Sequence, residues 1–214
     1  MNESFVKLKR NLILVLVCLT FIHHYGQGDS STWKAQIAFG FNYPDVDGFF
    51  EDFEAKPLNF PTINLGVQYM FSRNLGAKLD FGYNRFSNGE NSPEFKTNYS
   101  RINGQFVYDV TNKLRFLPPS MSIVGHIGPG LSFIKPLGTY GDNKHSFFNT
   151  LAGLELHYRI AQTVSVYTDA SYIMNFSKDK TYNPISDGYG TFNNNLFTIT
   201  IGFSVSLSGC YYCD

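Results

Sequence analysis

The side chains that could carry acid–base or nucleophilic chemistry are few and lie far apart along this sequence. His126 and His157 occupy segments in which polar and apolar residues alternate, and His145 and Ser146 lie in a polar stretch that is predicted to be an exposed loop. Nucleophilic catalysis requires a nucleophile beside a base, and a third group that orients the base. No persuasive triad is evident around these residues, so we expect the protein not to be an enzyme.

Two other groups of residues suggest metal binding or a covalent link. The acidic segment 45–54 would attract Ca²⁺, but it lacks the spacing of a calcium-binding loop, and a solvated loop is the preferred interpretation. Cys210 and Cys213 form a CxxC pair, and zinc requires more ligands than the chain end offers. In an oxidising compartment a local disulfide between them is expected. We therefore expect no bound metal and no cofactor.

The composition favours a β-sheet protein of one domain. Charged residues make up 16% of the 214 residues and aromatic residues 17%, and there are 19 glycines. Low charge with many aromatic residues is more typical of sheets than of helical bundles. The formal net charge is zero, and the basic residues form no stripe, so nucleic acid is not an expected partner.

Residues 1–28 have the pattern of a signal peptide. Basic residues precede the apolar segment Leu12–Ile22, and Gly26 and Gly28 occupy the small-residue positions before Asp29. Cleavage after Gly26 is the alternative. The apolar segment has about half of the ~20 residues that a membrane-spanning helix needs, so a retained anchor helix is disfavoured.

The rest of the chain alternates between apolar and polar residues with a period of two, as β-strands do. Eight segments share this pattern: Thr32–Tyr43, Pro61–Phe71, Leu75–Phe86, Thr97–Val110, Met121–Ile134, Phe148–Ile160, Val164–Phe176 and Asn195–Leu207. No segment between them has a convincing helical period. We therefore predict one all-β domain over residues 29–207, followed by a short tail over 208–214.

Strand length and loop length favour a barrel that spans a membrane over a soluble barrel. The segments contain 11–14 residues, enough to cross a bilayer at a tilt, whereas soluble strands average about 5–6 residues. The tight turns 72–74 and 161–163 alternate with long polar connections, as in outer-membrane barrels. Thr111–Ser120 is the exception, because it is long where a short turn is expected.

The apolar face is almost free of charge and carries aromatic residues towards both ends. Arg85 is the one charged residue on this face, at the loop end of its strand, where it can reach lipid headgroups. Amphipathic rings favour the membrane–water interface. We predict interface positions for Trp33, Tyr43, Tyr69, Tyr83, Tyr108, Tyr158 and Tyr172.

The stretches Asn74–Tyr83 (NLGAKLDFGY) and Val124–Phe133 (VGHIGPGLSF) resemble the barrel domain of outer-membrane protein A-like proteins, the second in its Bacteroidota form. This resemblance covers about residues 32–207. It implies an all-β, eight-stranded antiparallel up-and-down transmembrane β-barrel in the bacterial outer membrane, among outer-membrane lipids and lipopolysaccharide. An even strand number, after export, places both termini in the periplasm. Larger members add a peptidoglycan-binding domain, and we do not carry that activity over to this chain.

The opposite, polar face would then line the barrel interior and contains a set of ionisable residues. They are Lys34, Lys78, Asp80, Arg101, Glu155, His157, Arg159 and Asp169. An eight-stranded barrel is just wide enough to be filled by its own side chains, and unpaired charges there are costly. We therefore expect these charges to pair into a plug. The alternative is that Glu155 exchanges partners between Lys78 and Arg101 and opens a narrow pore.

The function that follows is a structural or interaction barrel whose long loops are the working surface and bind protein partners. The alternative is a narrow gated pore for small solutes. Two further possibilities are less favoured: a lipid-modifying barrel enzyme, known among eight-stranded outer-membrane barrels, and a subunit of a larger envelope assembly for transport or secretion.

Overall fold

The fold is a closed β-barrel, seen here in a computed structural model that describes residues 32–49, 53–114, 116–176 and 191–207. The predicted signal peptide, the tail 208–214 and the disulfide expected between Cys210 and Cys213 lie outside the described residues. Within the described parts, no helix is long and apolar enough to cross a membrane.

Eight antiparallel strands form the barrel, and each pairs with its neighbours in the chain. They are β1 (Thr32–Pro44), β2 (Asn59–Met70), β3 (Leu75–Ser87), β4 (Lys96–Asp109), β5 (Met121–Pro136), β6 (His145–Arg159), β7 (Val164–Phe176) and β8 (Leu196–Ser206). Pairing of β1 with β8, from Lys34 opposite Ser206 to Pro44 opposite Leu196, closes the sheet. The predicted eight-stranded antiparallel barrel is confirmed.

One boundary differs from the prediction in a way that matters for chemistry. His145 and Ser146, predicted in a loop, begin strand β6, where they pair with Ile134 and Phe133. The neighbouring residues are polar, so the sequence gives no strand pattern at this position. The backbone pairing of β6 extends beyond the part of the strand in which polar and apolar residues clearly alternate. His145 and Ser146 are therefore held in a regular sheet.

The two faces of the sheet differ as the alternation predicts. Outward residues are apolar and exposed, for example Leu79 at 62%, Phe106 at 67% and Ile201 at 60%. Inward residues are largely polar and buried, including Arg101 at 1% and Glu155 at 1%. Because side chains alternate strictly along a strand, the register of each pair determines which residues share the lumen.

The two ends of the barrel also differ. The connections 71–74 and 160–163 are short, and the third connection at that end contains a 3-10 helix, Thr111–Lys113. The other end carries four longer loops, with 3-10 helices at Val46–Gly48 and Gly138–Tyr140. We call these the short-turn end and the loop end. Thr111–Ser120 lies at the short-turn end, as its position between β4 and β5 requires.

Candidate functional site

The barrel interior is the candidate site, and its central part is a network of buried ionisable and amide side chains. We call it the central network; its ionisable members are Lys78, Asp80, Arg101, His126, Glu155, His157 and Asp169. They come from β3, β4, β5, β6 and β7, because each occupies an inward position of its strand. Charges so far from water must be paired, since an isolated buried charge is very costly.

The Glu155 carboxylate connects side chains from different strands within this network. Lys78 Nζ lies 2.6 Å from Glu155 Oε1, and the two side chains are only 4% and 1% exposed. The second oxygen, Oε2, accepts a hydrogen bond from Gln36 Nε2 at 3.0 Å and lies 2.7 Å from His157 Nε2. The carboxylate is therefore fixed from three strands.

Arg101 forms the second ion pair, with Asp80 on the neighbouring strand β3. Its guanidinium also donates to Asn64 Oδ1 and Asn103 Oδ1, both at 3.1 Å. Gly82 provides the space, since a Cβ added there would lie 2.6 Å from Arg101 Nε. The small residue opposite Arg101 thus allows the guanidinium to cross β3.

His126 connects this pair to the third carboxylate. Its Nδ1 lies 2.6 Å from Gln105 Oε1, and its Nε2 lies 3.3 Å from Asp169 Oδ1. Ser171 Oγ donates to the same carboxylate oxygen at 2.7 Å. The ligand atoms of His126, Glu155 and Asp169 all lie within 4.8 Å of one another, so these three are the described residues placed to hold a metal ion.

A second, apolar layer fills the barrel at the loop end. We call it the loop-end cap; its buried members are Phe49, Phe53, Ala55, Phe86, Phe95, Tyr99, Ile134, Phe147, Leu151, Ile173, Phe192 and Leu196. Phe192 packs with ring centroids 4.8 Å from Phe49 and 4.9 Å from Phe86. Tyr140 packs against the cap from the β5–β6 loop. The sequence signal for this layer is the set of apolar residues at inward positions near the loop ends of the strands.

The short-turn end is open by comparison. A cavity of 680 Å³ lies inside this mouth, and its lining includes Lys34, Arg73, Asp109, His157 and Arg159. His157 is common to this cavity and the central network, because its side chain lies beside Glu155 at 2.7 Å. The lumen is therefore accessible from one end down to the ionic layer.

Six of the eight predicted interior charges meet in the central network: Lys78, Asp80, Arg101, Glu155, His157 and Asp169. Lys34 and Arg159 do not join them, which corrects the prediction of one cluster. Both lie at strand ends, where the barrel opens to water; Lys34 is half-buried and Arg159 is exposed. Arg159 instead donates to the carbonyl oxygen of Pro119 at 2.6 Å.

The predicted interface aromatics all lie on the outer wall. Trp33, Tyr43, Tyr108, Tyr158 and Tyr172 are exposed, and Tyr69 and Tyr83 are half-buried. Trp33 and Tyr69 pack together at the short-turn end with ring centroids 4.8 Å apart. Towards the loop end, Arg85 donates to the Tyr83 hydroxyl at 2.8 Å, which holds this outward charge against an aromatic side chain.

Solved structures with this fold include the following three. Neisserial surface protein A has a TM-score of 0.55 at 13% identity, covering 84% of this chain and 99% of that one. A major outer membrane protein from Thermus thermophilus has a TM-score of 0.57 at 10% identity, with 83% and 100% covered. The outer membrane protein OprG from Pseudomonas aeruginosa has a TM-score of 0.53 at 10% identity, with 84% and 97% covered. Identities this low show the fold alone.

A comparison with curated protein sequences finds no match. The family model described as the outer membrane protein beta-barrel domain matches residues 12–206, which is nearly the whole chain. The closed eight-stranded barrel, with its apolar outer wall and polar lumen, has the architecture that this family description requires. The chain therefore belongs to the outer membrane protein beta-barrel family and is a protein of the bacterial outer membrane.

Proposed function

We propose that the protein is a closed barrel whose loops form the working surface for interactions outside the cell. One observation carries the proposal: each of the four long loops has an aromatic residue in the loop-end cap or packed against it. Phe53, Phe95, Tyr140 and Phe192 come from the four different loops. The same packing therefore closes the lumen and holds the loops together as one surface.

The central network supports a closed lumen independently of the cap. An interior of this width is normally filled by side chains, and here ion pairs link β3 to both β4 and β6. Opening a pore would require at least one of these pairs to separate, at the cost of exposing an unpaired charge in a confined space. A constitutive channel is disfavoured for this reason.

The orientation and setting are part of the proposal. In this proposal the loop end faces outwards, and the short-turn end, where β1 begins and β8 ends, faces the periplasm. Charged residues in the loops, such as Glu90, Glu94 and Lys144, would meet lipopolysaccharide or protein partners. The proposal includes a barrel of the outer-membrane protein A-like type found in Bacteroidota, which the stretches Asn74–Tyr83 and Val124–Phe133 resemble.

The protein is not an enzyme in this proposal. His126 and His157 belong to the central network, where their ring nitrogens contact Gln105, Asp169 and Glu155. They are engaged inside the lumen and lie away from the lipid face, where a lipid-modifying enzyme needs its base. Overexpression in cells tests this point, since lipid A extracted from them should have an unchanged acylation pattern in mass spectrometry.

Planar-bilayer recording tests the closed lumen. The wild-type protein should give no steady single-channel steps, and Phe60→Ala on the outer wall should behave in the same way as a control. Steady steps from the wild-type protein would contradict the proposal. They would instead favour the second candidate, a narrow gated pore, which is consistent with the 680 Å³ cavity reaching the ionic layer from one end.

A further inference from the structure

The central network contains three carboxylates, and two of them have a cationic partner of fixed charge. Lys78 pairs with Glu155, and Arg101 pairs with Asp80. The third, Asp169, faces the hydroxyl of Ser171 and the imidazole of His126. It also lies directly opposite Glu155 in the β6–β7 ladder, on the same inward face. Like charges in that position destabilise a sheet. The nearby Lys78 ammonium attracts Asp169 as well, but its hydrogen bond is to Glu155.

The tautomer of His126 indicates where in the network a further positive charge is needed. Gln105 Nε2 donates to Asp80 Oδ2 at 3.3 Å, so the amide oxygen of Gln105 points to His126. An amide oxygen only accepts, and His126 Nδ1 must therefore carry the hydrogen of the 2.6 Å contact. In the neutral ring Nε2 then presents a lone pair to Asp169 Oδ1, 3.3 Å away. Two hydrogen-bond acceptors, Nε2 and Oδ1, then face each other, and this contact is unfavourable unless a cation binds between them.

The backbone provides a cradle for this arrangement. Gly153 lies opposite His126 on one side and opposite Ser171 on the other. A Cβ at this glycine would lie 2.4 Å from Ser171 Oγ and 2.7 Å from His126 Nε2. The missing side chain lets the imidazole reach across β6 to the carboxylate on β7.

We propose that a divalent transition-metal ion of the zinc class binds between His126 Nε2, Asp169 and Glu155. Imidazole and carboxylate ligands suit this class of metal. Two ligand atoms that bind one Zn²⁺ at about 2.0–2.2 Å are at most roughly 4 Å apart. The three ligand atoms here lie within 4.8 Å of one another, so small side-chain rotations would bring them to bonding distance. The contacts of Gln105 and Ser171 orient the imidazole and the carboxylate, as outer partners of metal ligands do.

The route to the site runs through the cavity at the short-turn end. This cavity of 680 Å³ is lined by His157, whose Nε2 lies 2.7 Å from Glu155 Oε2. A hydrated ion in the cavity thus meets an imidazole first and the buried carboxylate next. The loop-end cap covers the opposite side, so exchange with the outside takes place from the short-turn end.

Zinc titration of the folded protein in detergent micelles tests the proposal. The parent should carry no histidine tag and should have Cys210→Ser and Cys213→Ser, because a CxxC pair binds zinc by itself. The zinc content per chain is measured after desalting, and the zinc affinity is measured by calorimetry. A difference in gel mobility between unboiled and boiled samples confirms that the barrel is folded. His145→Gln is the matched control, because it removes a histidine at the start of β6, away from the three ligands.

We expect one Zn²⁺ per chain in the parent and in His145→Gln, with binding weakened roughly tenfold or more in His126→Gln and in Asp169→Asn. Should His126→Gln fail to fold, the near-isosteric Asp169→Asn decides the question. Equal zinc binding in the parent and in the folded ligand variant would overturn the proposal. A parent that retains no zinc would also overturn it. Nitrogen NMR signals of a doubly protonated His126 would then show that a proton supplies the positive charge.

Discussion

Lys78 Nζ and Glu155 Oε1 lie 2.6 Å apart, although their strands β3 and β6 are separated by two other strands of the barrel wall. The contact therefore spans the lumen and is not a neighbour contact within the sheet. Replacing one partner of a buried ion pair leaves an uncompensated charge, whereas replacing both with apolar residues is often neutral. In this protein, replacing one partner should therefore reduce stability more than replacing both partners with apolar residues.

Glu155→Gln should destabilise the folded barrel by about 3–5 kcal/mol, because the Lys78 ammonium remains buried without its partner. The double variant Lys78→Met, Glu155→Leu should lose much less. Urea unfolding in lipid vesicles measures both. Lys34→Met is the matched control, since Lys34 is half-buried at the mouth and its change should be small. A loss for Glu155→Gln as small as that of the control would contradict a structural role for the pair.

The architecture and the sidedness of each strand could be predicted from the sequence because alternation has a strict period of two. Parity alone puts Lys78, Asp80 and Glu155 on the inner face. It does not say which of them meet. Lys78 and Glu155 are 77 positions apart in the chain, and their contact depends on strand tilt and stagger around the closed barrel. The sequence could therefore indicate Lys78 and Arg101 as possible partners of Glu155, but it could not select Lys78, with which Glu155 pairs.

The loop-end cap depends on contacts that alternation along a strand does not encode. Phe86 and Tyr99 have inward parity in an otherwise polar series, and taken singly they look like exceptions to the pattern. Their burial at 0% depends on Phe49 and Phe192, which lie in loops without any periodic signal. Apolar inward residues at the ends of strands gain their apolar environment from loops that fold back into the mouth. That folding back has no local sequence signature.

Phe192→Ala should loosen the loops while the barrel remains folded. Removal of a buried phenylalanine costs about 3–5 kcal/mol of packing, and here the loss falls on the cap. Limited proteolysis of the protein in micelles should give faster cleavage in the loops than for wild type. Leu58→Ala is the control, because Leu58 is 54% exposed and lies in the same layer of loops. Equal cleavage rates for the two variants would show that the cap does not hold the loops.

Gly202→Ala should impair closure of the barrel between β1 and β8. A Cβ at this position would lie 2.1 Å from the carbonyl oxygen of Ile37, a backbone atom that cannot rotate away. The folded fraction after refolding, read from gel mobility without boiling, should fall. Gly125→Ala is the matched control, since its added Cβ meets nothing nearer than 3.7 Å. A folded fraction for Gly202→Ala equal to that of the control would mean that the seam tolerates wider spacing.

The orientation of the barrel can be tested with single cysteines at its two ends, in a background where the native cysteines are serine. Asn91 is exposed in the β3–β4 loop and Arg73 is exposed in a short turn. Strands β1 and β8 place the start and the end of the barrel at the short-turn end, which the proposed function assigns to the periplasmic side. A membrane-impermeant maleimide should therefore label Asn91→Cys on intact cells and Arg73→Cys only after the outer membrane is permeabilised. The reverse labelling pattern would place the loop-end cap on the periplasmic side, and the loops would then have no access to partners outside the cell.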